Sequence, residues 1–263
     1  MVSHLLLSLL LPLSGVLAQR CQWSHLRQSA DRYSELQTAP RHTSPPSDPL
    51  FFPSASSYPF FNDATLTPLD QTILATAQLR PLHTHSIIDQ EGCSSYTRLI
   101  TSDAILGVHI YYESANNTGG VPLKVKEIHT VYFIVPGGST QKIQDNAKKE
   151  TWRSFSRTDQ DTRQTLRDVF DAYLEGNGPV AWGDSCSVLD SGKGGELRTA
   201  QGPQCGSLAL QLTEGAEIEG RTYVIDESLG AVTVLGVIRG KVVGFEGRVV
   251  KGKLEYAHQF GYY

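Results

Sequence analysis

Four short apolar runs close the chain, and tight turns separate them: Thr222–Asp226, Ala231–Ile238, Val242–Val250 and Leu254–Phe260. Residues 226–230 and 251–253 carry the Gly and polar residues of turns, so the spacing predicts consecutive antiparallel strands. Alternation places Leu254, Tyr256, His258 and Phe260 on one face of the last strand. A single helix precedes them. Leu166, Val169, Phe170, Tyr173 and Leu174 fall at i, i+3, i+4, i+7 and i+8, which is one apolar stripe. Gly176, Gly178 and Pro179 then stop it. A stripe of this kind has to bury, and the following sheet is the expected partner. The class is α+β.

The region from Cys93 to Pro136 also reads as strand, with Ile105–Tyr112 and Val125–Val135 as its clearest members. Val125, Glu127, His129, Val131 and Phe133 share a face by alternation. Within it, residues 107–135 echo residues 242–260. Each has a Lys-x-x-Glu or Lys-Leu-Glu entry and a histidine in its last strand, which hints at two related half-domains. Six prolines fall between Pro40 and Pro59, which excludes a central strand or a helix interior there. The Phe51-Phe52 and Phe60-Phe61 pairs predict an extended segment docked on the body rather than a free linker. The expected organisation is a signal peptide over 1–18, an extended Pro/Ser-rich segment over 19–62, a β-rich first half over 63–150 and a second half over 151–263.

Leu5–Leu13 is almost continuously apolar and too short to span a bilayer, and Val16-Leu17-Ala18 has the spacing that signal peptidase reads. Secretion without a membrane span is therefore expected. Four cysteines in an exported chain predict two disulfides, with three connectivities open. Cys186 and Cys205 are close in sequence and form the favoured pair, leaving Cys21 and Cys93. No Cys-x-x-Cys spacing supports a metal site. Asn116-Asn117-Thr118 is an N-glycosylation sequon beside two glycines, so a glycoprotein is expected. The net charge of −4 is spread without a basic stripe, which argues against nucleic acid as a partner.

The chain has no Gly-x-Ser-x-Gly, His-Glu-x-x-His, phosphate loop or dinucleotide fingerprint, so no cofactor is called for. The candidates are polar groups on apolar strands. His258 can serve as a hydrogen-bond donor or general base, or be a satisfied core histidine. His129 carries the same two readings. Trp152, Trp182, Tyr223 and Tyr256 are candidate walls of a substrate pocket, and Tyr173 reads as core. Trp182 falls in an expected loop before Cys186. Asp226 is expected to cap a turn beside a solvated Glu227, and His83 and His85 read as loop histidines.

The order Arg163, Tyr173-Leu174, Trp182, Cys186, Gly192, Cys205, Arg221-x-Tyr-Val-Ile-Asp-Glu-x-x-Gly-Ala-Val, Gly252-Lys-Leu and His258 resembles a family of secreted fungal proteins. The second half is similar to a SnoaL/NTF2-like cone, a curved antiparallel sheet packed by helices around a pocket. The resemblance is best from about Thr151 onward and departs from the wider pattern at residues 242–245. It implies a cofactor-independent hetero-Diels–Alderase of tropolone sesquiterpenoid secondary metabolism. Such an enzyme joins a tropolone quinone methide to a humulene-type polyene, with apolar small molecules as substrates. By analogy with such cones it also implies a homodimer. Two other readings stand beside it: a secreted small-molecule-binding protein without catalysis, and a SnoaL-like acid–base cyclase or dehydratase using His258 or Asp226.

Overall fold

The computed structural model describes residues 21–39, 50–51, 58–113, 123–135, 137, 140–176, 179–191, 195–208 and 216–261. The expected signal peptide, the sequon at Asn116 and most of the Pro-rich segment lie outside them.

In chain order the elements are α1 (Trp23–Thr38), β1 (Phe60–Asn62), β2 (Thr65–Leu66), α2 (Ile73–Thr76), β3 (His83–Asp89), β4 (Ser94–Ile100), β5 (Ala104–Tyr112) and β6 (Val125–Ile134). They continue with α3 (Gln141–Ala147), α4 (Arg163–Glu175), β7 (Trp182–Asp190), β8 (Glu196–Gln201), β9 (Glu219–Asp226), β10 (Ala231–Ile238), β11 (Lys241–Val250) and β12 (Lys253–Gly261). The α+β class holds. The strands form two six-stranded sheets, ordered β2-β1-β6-β5-β4-β3 and β8-β7-β12-β11-β10-β9. Each sheet is mixed rather than purely antiparallel, because β1 pairs parallel with β6 and β7 pairs parallel with β12. The two halves repeat one plan: a long helix, a hairpin, then a four-stranded meander whose last strand returns beside the hairpin.

The repeat extends to register. One row across the first sheet runs Phe61–His129–His109–Tyr96. The equivalent row in the second runs Leu189–His258–Glu246–Thr233. Both sheets also carry a bulge at the same place. Register slips between Tyr111 and Tyr112 opposite β6, and between Arg248 and Val249 opposite β12. Lys126 and Glu255 are the extra residues, each three positions before its histidine. The bulges overturn the expected single faces. Val125 and Leu254 turn toward the helices, whereas Val131, Phe133 and Phe260 point to the other side.

Two helix-facing cores and one inter-sheet core result. α4 buries Leu166, Phe170, Tyr173 and Leu174 on the second sheet, as its stripe predicts. Thr162 caps its first turn by accepting from Thr165 N, and Gly176 ends it in the left-handed region at φ 65°. On the first sheet α1 buries Leu26, Ala30 and Tyr33, joined by Phe51 and Phe60. A helix over residues 23–38 corrects the expectation of an extended chain over 19–62, although Phe51 and Phe60 dock as expected. The remaining faces of the sheets meet each other through Ile87, Tyr96, Phe133, Val224, Leu235 and Phe260. Disulfides join Cys21 to Cys93 and Cys186 to Cys205, the favoured pairing. Among the described residues no helix is long and apolar enough to cross a membrane.

Candidate functional site

The contact between the sheets is not wholly apolar. Arg98 of β4 is buried to 2 % exposure in the middle of it. Its Nη1 lies 3.2 Å from Glu246 Oε2 on β11 and also meets His258 Nδ1 on β12. Its Nη2 lies 3.7 Å from Glu150 Oε2. Two carboxylates thus surround one guanidinium, without which each charge would be prohibitively costly here. Burial pushes the Glu246 carboxyl up, but Arg98 and then His85 outweigh it and hold the group well below the usual carboxylate range. Burial also raises Glu150, and the contacts with His258 and Arg98 again reverse the sign. For Arg98, burial favours the neutral form, and Glu246 and Glu150 more than restore the charge.

Hydrogen-bond chemistry fixes the imidazoles. Arginine has only donors, so His258 Nδ1 must accept from Arg98. The His258 proton is then on Nε2 and is donated to Glu150 Oε1. Both nitrogens of that ring are engaged. His85 is arranged differently. Its Nδ1 lies 3.1 Å from Glu246 Oε1, and an ionised carboxylate only accepts. Nδ1 therefore donates, which sets the tautomer: in a neutral imidazole held this way Nε2 is the lone-pair atom. A buried carboxylate fixing a histidine tautomer is the arrangement that general-base histidines require.

His85 also borders an opening. Its ring lies on Trp152, with centroids 4.3 Å apart, and Trp152 meets the edge of Tyr256. His85 and Trp152 line a cavity of about 300 Å³ with Ser86, Ser154 and Asp226. Burial raises the Asp226 carboxyl, although Ser228 and three backbone N–H groups oppose it. Its Oδ1 accepts from the N–H groups of Ser228 and Leu229, so the expected turn cap is present. Glu227 is not simply solvated, since its Oε1 accepts from Arg163 N at the start of α4.

The sequence candidates are divided by this geometry. His258, Tyr256 and Trp152 come together around the cluster. His258 is buried behind Glu150. His129 lies apart, stacked on Phe61 and edge-on to Tyr111. Trp182 opens strand β7 and not a loop, and meets Tyr173 on the helix side of the second sheet. Tyr223 also serves that side, donating to Asp171 Oδ1 at 2.6 Å beneath Arg167. His83 and His85 lie on β3 rather than in a loop.

Sequence reasoning missed Arg98, Glu246, Glu150 and His85. The readable signal was a charge inside an apolar strand: Arg98 follows Tyr96-Thr97, and Glu246 follows Val243-Gly244-Phe245. Among the described residues no cluster of three or more His, Cys, Asp or Glu is placed to hold a metal ion.

A family model described as a domain of unknown function (DUF8021) matches residues 159–261, which span α4 to β12. No curated protein matches the chain.

Proposed function

We propose that the protein is a cofactor-independent enzyme that moves a proton on a small organic substrate bound against Trp152. His85 is the base, Glu246 orients it, and Arg98 keeps Glu246 ionised. One observation carries this reading: the Glu246–His85 pair, in which a carboxylate with no exposed side-chain surface holds a histidine that borders a cavity. An enolisable or dehydratable carbonyl compound suits these groups, since it needs a base within hydrogen-bond reach and a flat apolar wall. The acid–base cyclase or dehydratase reading is therefore preferred, with His85 in the place first given to His258 or Asp226.

The hetero-Diels–Alder reading draws on the same cavity. There Trp152 would be the wall for the tropolone, and a protonated His85 the donor to its carbonyl. Positioning and one strengthened hydrogen bond would supply the catalysis. A binding protein without catalysis would use the cavity alone. We further infer that each half is a SnoaL/NTF2-like cone, supported by a helix across a sheet whose first and last strands pair in parallel. The sheet-to-sheet pairing expected between two chains is then supplied within one. The leader-like N-terminus and two disulfides support export.

The test uses disulfide-intact protein in two assays. One follows deuterium incorporation from D₂O into a panel of cyclic enolisable ketones. The other follows stereoisomers formed from a tropolone quinone-methide precursor and a humulene-type alcohol. Exchange that His85→Gln and Glu246→Gln abolish, with a single-ionisation pH profile, supports proton transfer. Stereoselective adduct formation with a shallow pH profile supports cycloaddition. Saturable ligand binding with neither reaction overturns the enzyme.

A further inference from the structure

The chain between α3 and α4 runs extended past the cluster, and its side chains alternate. Trp152 and Ser154 face the cavity just described, whereas Thr151, Arg153 and Phe155 face a second opening, a groove of about 980 Å³. The groove is at the upper end of the size range of ligand clefts. Its floor is formed on β7 and β8, with Ser185, Ser187, Thr199 and Gln201 contributing hydroxyl and amide groups.

Arg248 makes the groove more than a polar crevice. It is 5 % exposed, and its guanidinium is held over Phe155 with the carbon 5.0 Å from the ring centroid. Nη2 donates to the Arg153 carbonyl at 3.3 Å. Nε is buried without a hydrogen-bond acceptor, and Glu255 is 3.9 Å away. Among the described residues Nη1 has no hydrogen-bond partner either. Nε is enclosed beside Glu255, whereas Nη1 is accessible and free to donate to a ligand. Lys149 and Arg153 add two exposed cations to the same wall. Of the two groove carboxylates, Glu150 is taken by His258 and Arg98 and Glu255 offsets Arg248, which leaves Lys149 and Arg153 in excess, so the field in the groove favours an anion.

We infer that this groove binds a hydroxylated carboxylate of the uronic-acid class. The carboxylate pairs with Arg248, the hydroxyls meet the Ser, Thr and Gln floor, and Tyr256 lies along the ring. A guanidinium recognises a carboxylate through paired N–H donors, which a neutral sugar cannot match. The site is distinct from the His85 cavity and does not depend on the reading given to it.

Isothermal titration of the full chain with an oligogalacturonate trimer, neutral galactotriose and sodium sulfate tests this. The trimer should bind, galactotriose should bind at least about tenfold more weakly, and Arg248→Met should lose about tenfold, the scale of one charge-assisted pair. Because Arg248 is buried, the exposed double variant Lys149→Ala/Arg153→Ala provides a second measure and should also weaken the trimer. His85→Gln should leave trimer affinity unchanged. No trimer binding, equal binding of galactotriose, full competition by sulfate or indifference to the Arg248 and Lys149/Arg153 variants overturns the proposal.

Discussion

The two halves share a plan, yet the rows that meet between them carry opposite chemistry. In the second sheet the row holds Glu246 and His258, and across the interface they meet Arg98 and His85. The equivalent row of the first sheet holds His109 and His129. His109 Nε2 is hydrogen-bonded to Thr233 at 3.0 Å and its Nδ1 to Tyr111 at 3.2 Å. Burial, followed by the field of His129, lowers its pKa to about 3, so it is neutral at pH 7. One end of the interface is thus a network of ions and the other a set of neutral rings and hydroxyls. The same backbone supports either, because what sets the chemistry is the residue facing across the gap. At the charged end Arg98 provides the counter-ion.

The comparison breaks most visibly at Arg98. Arg98→Met leaves Glu246 buried without its cation and should cost about 3–5 kcal/mol in urea unfolding. Arg98→Met combined with Glu246→Leu should recover most of that loss. At the neutral end His109→Gln removes one hydrogen-bonded group and should cost only about 1 kcal/mol. Equal costs at both ends would remove the distinction.

Acid sharpens it. The folded pKa of His109 is depressed from 6.5 to about 3, so the unfolded chain takes up a proton that the folded one refuses. Its contribution is complete above pH 6.5 and is lost as pH falls toward 3. Glu150 and Glu246 are also depressed, from 4.5, and their contributions disappear lower still. Stability should therefore begin to decline at the neutral end before the charged end responds. His109→Gln should flatten the upper part of that decline in a pH series of urea midpoints.

Two glycines allow the sheets to approach. A Cβ on Gly244 would stand 2.2 Å from the Phe260 ring, and one on Gly107, its counterpart in register, 2.7 Å from it. Each Gly→Ala change should cost about 1–3 kcal/mol by overpacking, with Gly244 the worse. Adding Phe260→Leu should relieve both. The smallest contrast is between the helices. Thr162→Ala should cost about 1 kcal/mol through the lost cap on α4. Gln22→Asp should stabilise α1, whose first turn has no side-chain cap. Thermal midpoints of the two variants should move in opposite directions.

Those caps explain part of what the sequence made legible. α4 was readable because its stripe, cap and stop agree. α1 was not, because it lacks a cap, stands next to a proline-rich stretch, and fills its stripe with small or polar residues such as Ser29, Ala30 and Gln37. The meander of the second sheet was readable from its turns, but the bulges were not. One extra residue at Lys126 or Glu255 leaves no compositional mark and still moves Val125 and Leu254 to the other face. His258 stood out because it sits alone among apolar neighbours. Its working partners did not, since Arg98 is 160 residues away and His85 is 161 from Glu246. A pairing of that range exists only once both sheets are built.

The covalent joining of the halves has a further consequence. Were this interface made by two identical chains, symmetry would place every residue at both ends. A glutamate at one end would return at the other, along with its own guanidinium, and no end could differ. A single polypeptide is free of that constraint. It can carry one ionic centre beside one cavity while the mirror position stays neutral and serves only to hold the sheets together.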